Sequence, residues 1–255
     1  VYKRQGFMAW QGVQIVSLPI GGVTIASFGM SFVVSVFLTV LIMNAVNFID
    51  GLDGLVAGVV LIGTSVFFIY TYLLVQRTDP TNYFNFGSMI SAIVIGICLG
   101  FLPLNWHQAK IFMGDSGALL LGLLMTAGAL SVTGQIDPAT VSGNQTIPAF
   151  LPLIVPLAII IVPLLDFTLA VVRRLRAGKS PFSADRKHLH HRLLDSGHGH
   201  LGTVLVFYAW TALISLTCLL LFFTKASIVL VFFAVGFVAC VAYTFYPLIK
   251  RKSVK

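Results

Sequence analysis

The sequence contains no glutamate, and its eight acidic residues are all aspartates. Charged residues make up only 9% of the 255 positions, whereas a soluble domain carries about 25%. The three cysteines all lie within apolar runs, which excludes a disulfide framework. So little polar surface cannot cover a globule in water or keep a chain disordered. An ordinary soluble enzyme and an intrinsically disordered protein are therefore both excluded.

The sequence instead contains long apolar runs. Hydrophobic residues make up 58% of the chain, and the mean hydropathy is +0.97. A membrane-spanning helix needs about 20 mainly apolar residues. We therefore predict an all-α polytopic membrane protein that forms a single integral-membrane domain over residues 1–255. Its seven predicted spans are 31–49, 55–75, 86–104, 118–132, 147–172, 203–223 and 228–248.

Residues 13–28 differ from the predicted spans. They place β-branched residues on both sides of a Pro-Ile-Gly-Gly turn. This pattern predicts a short β-hairpin at the membrane surface, with a re-entrant segment as the alternative.

The basic residues are distributed unequally between the two sets of alternate loops. One set carries twelve Lys and Arg residues, and the other carries two. The positive-inside rule assigns the first set to the cytoplasm, including a basic, histidine-rich loop at 173–201. Such an excess is typical of cytoplasmic loops, so we expect no nucleic-acid partner. All six histidines and most of the aspartates fall on this same side, although the rule did not use them.

The first polar cluster ends the first predicted span. Asn47, Asp50 and Asp53 are spaced three residues apart, so on a helix they form one stripe. Gly51 and Gly54 allow the backbone to turn there. The alternative is that Asp53 only caps the helix that follows, which would leave Asn47 and Asp50 unexplained.

Two further clusters lie on the cytoplasmic side. The segment Lys-Ile-Phe-Met-Gly-Asp-Ser-Gly places Asp115 just before the fourth span, where it could be only a helix cap. The 173–201 loop carries His188, His190, His191 and Arg192. That loop could bind a phosphate, adhere to anionic lipid heads or hold Zn²⁺. Its arginines and lysines favour the phosphate.

Together the three clusters combine oxygen ligands for a hard cation with a basic loop for phosphate oxygens. This combination suits a nucleoside diphosphate compound held through Mg²⁺. Two anions can approach each other only where charge is neutralised, so the arrangement predicts phosphoryl transfer to an anionic acceptor.

The segments NAVNFIDGLDGL, IFMGDSG and HLHHRL, in this order, resemble the polyprenyl-phosphate N-acetylhexosamine-1-phosphate transferases of glycosyltransferase family 4. The HLHH form is more similar to the N-acetylglucosamine branch than to the pentapeptide branch. The resemblance implies transfer of N-acetylglucosamine-1-phosphate from UDP-N-acetylglucosamine to a polyprenyl phosphate, undecaprenyl or decaprenyl, with release of UMP. It further implies Mg²⁺, with Mn²⁺ as a substitute, an active site facing the cytoplasm at the bacterial inner membrane, and homodimers as one assembly state.

The resemblance also implies roles for individual residues. Asn47 and Asp115 match the metal ligands, Asp53 matches the position beside the uracil, and Asp50 matches an acidic position needed for activity. The loop residues match those that contact the sugar or diphosphate: His188, His190, His191 and Arg192. The rival readings are an ion- or proton-coupled transporter and an inactive regulatory fragment.

One family feature is missing from this sequence. The family carries an adjacent Asp-Asp pair near an upstream span end, and no Asp-Asp occurs here. The family also has ten or eleven spans. We therefore expect the chain to be truncated at its N-terminus.

We predict that the purified 255-residue chain does not turn over on its own, because the acids that orient the lipid phosphate are absent. The measurement is Mg²⁺-dependent UMP release from UDP-N-acetylglucosamine and a polyprenyl phosphate. Release above background would refute the expectation.

Overall fold

A computed structural model describes residues 27–78, 85–133, 172–178 and 189–253, together with positions 14, 17–18, 24–25, 161, 168 and 180. Within these residues the chain is helical apart from one small strand pair. The strands are β1 (Ser17–Leu18) and β2 (Thr24–Ile25). The helices are α1 (Phe28–Phe48), α2 (Leu55–Thr78), α3 (Phe86–Asn105), α4 (Gly114–Thr133), α5 (Leu189–Ser196), α6 (His200–Leu220) and α7 (Ala226–Ser253).

Six of the helices, all but α5, are long and apolar enough to cross a membrane. They correspond to six of the seven predicted spans. The remaining predicted span, 147–172, lies almost entirely outside the described residues. Strands β1 and β2 pair antiparallel, with Ser17 opposite Ile25, within the stretch predicted to form a hairpin.

Side-chain caps mark where two of the spans begin. The hydroxyl of Ser27 accepts a hydrogen bond from the Met30 amide and starts α1 three residues earlier than predicted. The amide oxygen of Asn85 accepts from Ser88 and starts α3. Helix α4 begins at Gly114 rather than at 118, so Asp115 lies in its first turn.

The helices pack in a spatial order that differs from their order in the chain. Helix α1 packs on α4, α4 on α3, α3 on α2, α2 on α6, and α6 on α7. The core between them is apolar and includes Ile42, Leu55, Val94 and Phe207. Three segments meet at one end of this bundle: the 49–54 loop, the 106–113 loop and the start of α6.

Helices α1 and α4 approach each other closely at Gly122. A Cβ atom at this position would lie 2.7 Å from the Cα of Met43 and 3.2 Å from its backbone nitrogen. Small residues at such crossings allow the close backbone packing that holds membrane helices together. Gly122 therefore sets the spacing of the two helices that carry Asn47 and Asp115.

We predict that Gly122→Ala lowers the thermal unfolding midpoint of the detergent-solubilised chain, because backbone atoms cannot move aside as a flexible side chain can. Overpacking of this kind costs about 1 to 3 kcal/mol. The control is Gly96→Ala on α3, where no atom lies within 4 Å of the added Cβ. Equal midpoints for the two variants would contradict the role given to Gly122.

Candidate active site

The centre of the candidate site is a hydrogen bond between two helices far apart in sequence. The Asn47 side chain, in the last turn of α1, donates to the Asp115 carboxylate at 3.1 Å. Asp115 lies in the first turn of α4, where the unpaired amides of a helix start favour negative charge. The two residues predicted as metal ligands are therefore brought into direct contact.

Asp50 lies beside this pair, but not on a helix. Helix α1 ends at Phe48, so the expectation of one helical stripe through Asn47, Asp50 and Asp53 is wrong. The 49–54 loop carries both aspartates instead, because a tight turn follows in which the Gly51 amide donates to the Ile49 carbonyl. Burial, and then the nearby charge of Asp115, raise the pKa of the Asp50 carboxyl above its ordinary value.

The backbone amide and the backbone carbonyl of Gly54, at the end of this loop, are both hydrogen-bonded to side chains from other helices. Its amide donates to the buried Asn105 side chain at 3.0 Å, and its carbonyl accepts from the Tyr208 hydroxyl on α6. The φ angle of Gly54 is +76°, a conformation that residues with a Cβ rarely adopt. One turn later, a Cβ on Gly58 would overlap the Tyr208 ring. Tyr208 can therefore reach the loop only because residue 58 is glycine.

Asp53 connects the 49–54 loop to the 106–113 loop. Its carboxylate accepts a hydrogen bond from the Ala109 amide at 3.3 Å. Gly54, and not Asp53, directly precedes α2, and its carbonyl accepts the Gly58 amide in the first turn of that helix. The alternative that Asp53 only caps α2 does not account for its hydrogen bond to Ala109. The second loop is closed by Asn105, whose side chain donates to the Ile111 carbonyl at 2.9 Å.

Two histidines complete this end of the bundle. The Nδ1 atom of His107 lies 3.9 Å from the Asp53 carboxylate. The His107 ring stacks on the His200 ring, with ring centres 4.5 Å apart. His200 belongs to the predicted 173–201 loop and is the first residue of α6. The start of α6 therefore reaches the same end of the bundle as the 49–54 and 106–113 loops.

The histidine-rich cluster is only partly described. Residues 190–192 lie on α5, so part of the predicted loop is helical. His188 and the side chains of His190, His191 and Arg192 lie outside the described residues, and their role stays a prediction. His198 faces away from the site, because its Nε2 atom donates to the Thr244 carbonyl of α7 at 2.9 Å.

Sequence reasoning missed four residues of this site. Asn105 and His107 could have been recognised from the sequence, because they are polar residues at the end of an apolar run, as Asn47 is. Phe112 precedes the Met-Gly-Asp segment and is 77% exposed, which is unusual for a large aromatic side chain held in an ordered loop. Tyr208 carries no signal, because it lies in the middle of an apolar run.

The donor set fits a hard divalent cation. Asn47, Asp50 and Asp115 offer amide and carboxylate oxygens, the ligands that Mg²⁺ prefers. Burial, and then the nearby charge of Asp115, disfavour the ionised form of Asp50, and a bound cation would favour that form.

A bundle of apolar spans that gathers oxygen ligands at one end is a multi-pass membrane protein with a polar, metal-capable site at the membrane interface. The chain belongs to glycosyl transferase family 4, whose family model matches residues 6–134. That range contains both loops described above.

Several characterised bacterial proteins are similar to the chain. It is 38% identical over 246 residues to the decaprenyl-phosphate N-acetylglucosaminephosphotransferase of Mycolicibacterium smegmatis, covering 96% of this chain and 60% of that protein. It is 37% identical to the probable undecaprenyl-phosphate N-acetylglucosaminyl 1-phosphate transferase of Bacillus subtilis, covering 75% and 48%. It is 37% identical to the phospho-N-acetylmuramoyl-pentapeptide-transferase of Acetivibrio thermocellus, covering 77% and 52%. The chain thus spans about 60% or less of the length of these relatives.

We predict that Asp50→Asn raises the thermal unfolding midpoint of the metal-free chain at neutral pH, because it removes a half-buried charge beside Asp115. A carboxyl with a raised pKa destabilises the fold fully above that pKa. The difference between variant and wild type therefore disappears as pH falls from the raised pKa toward the ordinary value. Differential scanning fluorimetry across this pH range measures it.

The control for this prediction is Asp195→Asn, which removes an exposed carboxylate on α5. Addition of Mg²⁺ should stabilise the wild type more than Asp50→Asn. A variant less stable than the wild type without metal would show that Asp50 is a structural hydrogen-bonding group instead.

Proposed function

We propose that this chain carries the nucleotide and metal site of a transferase that moves N-acetylglucosamine-1-phosphate onto a polyprenyl phosphate. The substrates are UDP-N-acetylglucosamine and an undecaprenyl or decaprenyl phosphate. In the reaction an oxygen of the lipid phosphate attacks the sugar-bearing phosphorus. The bond from that phosphorus to the bridging oxygen breaks, and UMP leaves with the electron pair. This step begins the membrane-bound assembly of a cell-envelope polysaccharide.

The observation that carries the proposal is the contact between Asn47 and Asp115, with Asp50 beside it. The three residues come from two helices and a loop, and the packing of α1 on α4 holds them at one end of the spans. Such a set can hold Mg²⁺, or Mn²⁺ in its place, which neutralises charge on a diphosphate when bound. The similarity to N-acetylglucosamine phosphotransferases supports the choice of sugar.

The neighbouring loop supplies the nucleoside contacts in this proposal. Asp53 is held toward the 106–113 loop by the Ala109 amide, and its second carboxylate oxygen can accept from a base. Phe112 presents an exposed ring on the same loop, between Ala109 and Asp115. A base stacked on an aromatic ring gains about 1 to 3 kcal/mol. We assign the diphosphate and sugar to His188, His190, His191 and Arg192, as predicted from the sequence.

The setting of the reaction is also proposed. In this proposal the site faces the cytoplasm at the bacterial inner membrane, which the distribution of basic residues between the loops supports. The lipid phosphate reaches the site from the membrane, since Asp115 begins an apolar span. A homodimer is one assembly state compatible with the proposal.

The positions of the acidic residues favour a transferase over an ion-coupled transporter. Within the six described spans the only acidic residue is Asp115, which lies in the first turn of α4. An ion path would need ionisable groups deeper in the bilayer, where each Asp costs about 3 kcal/mol.

We predict that the chain in lipid nanodiscs binds UMP in the presence of Mg²⁺, and that Asp115→Asn weakens binding at least tenfold by removing a metal ligand. Phe112→Leu keeps an apolar side chain but loses the stacking surface, so it should weaken UMP binding about fivefold or more. Isothermal titration calorimetry reads binding directly, so the result does not depend on turnover.

The matched control is again Asp195→Asn, which should bind UMP as the wild type does. A loss of less than about threefold for Asp115→Asn would refute its place in the site. If Phe112→Leu leaves UMP binding unchanged, only the proposed stacking contact is refuted.

A further inference from the structure

We propose that Asp53, His107 and His200 form a second cation site, separate from the Asn47–Asp115 pair, that binds a transition metal of the Zn²⁺ type. The three side chains come from three different segments, namely the 49–54 loop, the 106–113 loop and the start of α6. Each offers one ligand atom, and these atoms all lie within 4.8 Å of one another.

The chemistry of the donors separates this site from the first one. Asn47 and Asp115 offer oxygen atoms only, which suits Mg²⁺. Two imidazoles and one carboxylate form the donor set typical of Zn²⁺ sites that keep a fourth position open. Imidazole nitrogen is a softer donor than oxygen, so the second site discriminates against Mg²⁺.

The ligand atoms lie farther apart than they would around a bound ion, by up to about 1.5 Å. Ligands around a tetrahedral Zn²⁺ at bond lengths of about 2.0 to 2.1 Å stand about 3.3 Å apart. The carboxylate of Asp53 and the Nδ1 atom of His107 are 3.9 Å apart, so a small side-chain rotation closes the gap. The two imidazoles are already in contact, with their planes 25° apart, and a rotation of the exposed His107 ring would bring both in-plane lone pairs to one ion.

A second observation points to a ligand at these histidines. The Nδ1 atom of His200 is buried, and none of the described residues gives it a hydrogen-bond partner. A buried ring nitrogen without a partner is costly, so this imidazole is incomplete in the chain as it stands. The His107 side chain is half exposed, which leaves an entry path for a cation from the water side.

Occupancy of this site would have a regulatory consequence that rests on the proposed function. His107 and the Ala109 amide lie against one oxygen of the Asp53 carboxylate, and the proposed function gives the other oxygen to the base. A Zn²⁺ ion on this carboxylate neutralises its charge and turns it toward His107, which draws the second oxygen away from the base. A bound Zn²⁺ therefore competes with the nucleotide and holds the 49–54 loop, the 106–113 loop and α6 together. The metal acts here as an inhibitor, and two of its three ligands, His107 and His200, have no role in the proposed transfer.

The test uses Co²⁺ as a spectroscopic substitute for Zn²⁺, on the 255-residue chain in nanodiscs purified without a polyhistidine tag. We expect one Co²⁺ per chain with the visible absorption of a tetrahedral site, displaced by Zn²⁺ and not by excess Mg²⁺. His107→Gln and His200→Gln should each weaken Co²⁺ binding at least tenfold. Two separate variants are used so that a folding defect in one, seen by size-exclusion chromatography, does not decide the result.

The control variant replaces His188, His190 and His191 together by glutamine, because the sequence also allows zinc binding there. Co²⁺ binding that survives this triple change supports the Asp53–His107–His200 site. Binding that is lost with the triple change, or kept in both single variants, overturns it.

Added UMP separates this proposal from the proposed function. A fall in Co²⁺ affinity with UMP supports competition at Asp53, and an unchanged affinity while UMP binds overturns the inhibitory role. If UMP does not bind at all, the proposed function and the inhibitory role fail together. The Co²⁺ spectra of the two histidine variants still decide whether the metal site exists.

Discussion

The close crossing of α1 and α4 is the constraint on which the candidate site depends. Apolar helices in a bilayer gain little from the hydrophobic effect when they meet, so close van der Waals contact has to hold them. Gly122 permits this contact by leaving no side chain between its helix and Met43. Asn47 follows Met43 by about one helical turn, and Asp115 precedes Gly122 by about two. A wider crossing would separate the two residues that meet at the site.

Gly54 connects this pair of helices to the rest of the bundle. Its amide is bound from the end of α3 by Asn105, and its carbonyl is bound from α6 by Tyr208. The 49–54 loop is therefore ordered by hydrogen bonds from two neighbours rather than by a core of its own. This is how a short loop with two glycines can hold Asp53 against the 106–113 loop. Sites held this way are placed more accurately than sites on free loops.

The two neighbouring carboxylates of the site lower the stability of the fold and favour the binding of a cation. Asp50 and Asp115 keep two carboxylates near each other at the edge of an apolar bundle, and burial together with this proximity raises the pKa of Asp50. Natural proteins often retain such strain where function needs it. In the proposed function a cation and a diphosphate would complete the charge balance together, since each carries the charge that the other needs.

Hydropathy determined the fold class and six of the spans, because crossing a bilayer depends on a local run of apolar residues. Loop parity also determined that the polar clusters share one side, and the Asn47–Asp115 contact agrees with this. The sequence could not determine where α1 stops, so it placed Asp50 and Asp53 on a helix that ends at Phe48. Nor could it pair His107 with His200 or Gly54 with Tyr208, which are about a hundred residues apart or more. Only tertiary packing decides such pairs, because they depend on how α2 lies against α6, and one apolar helix face resembles another in sequence.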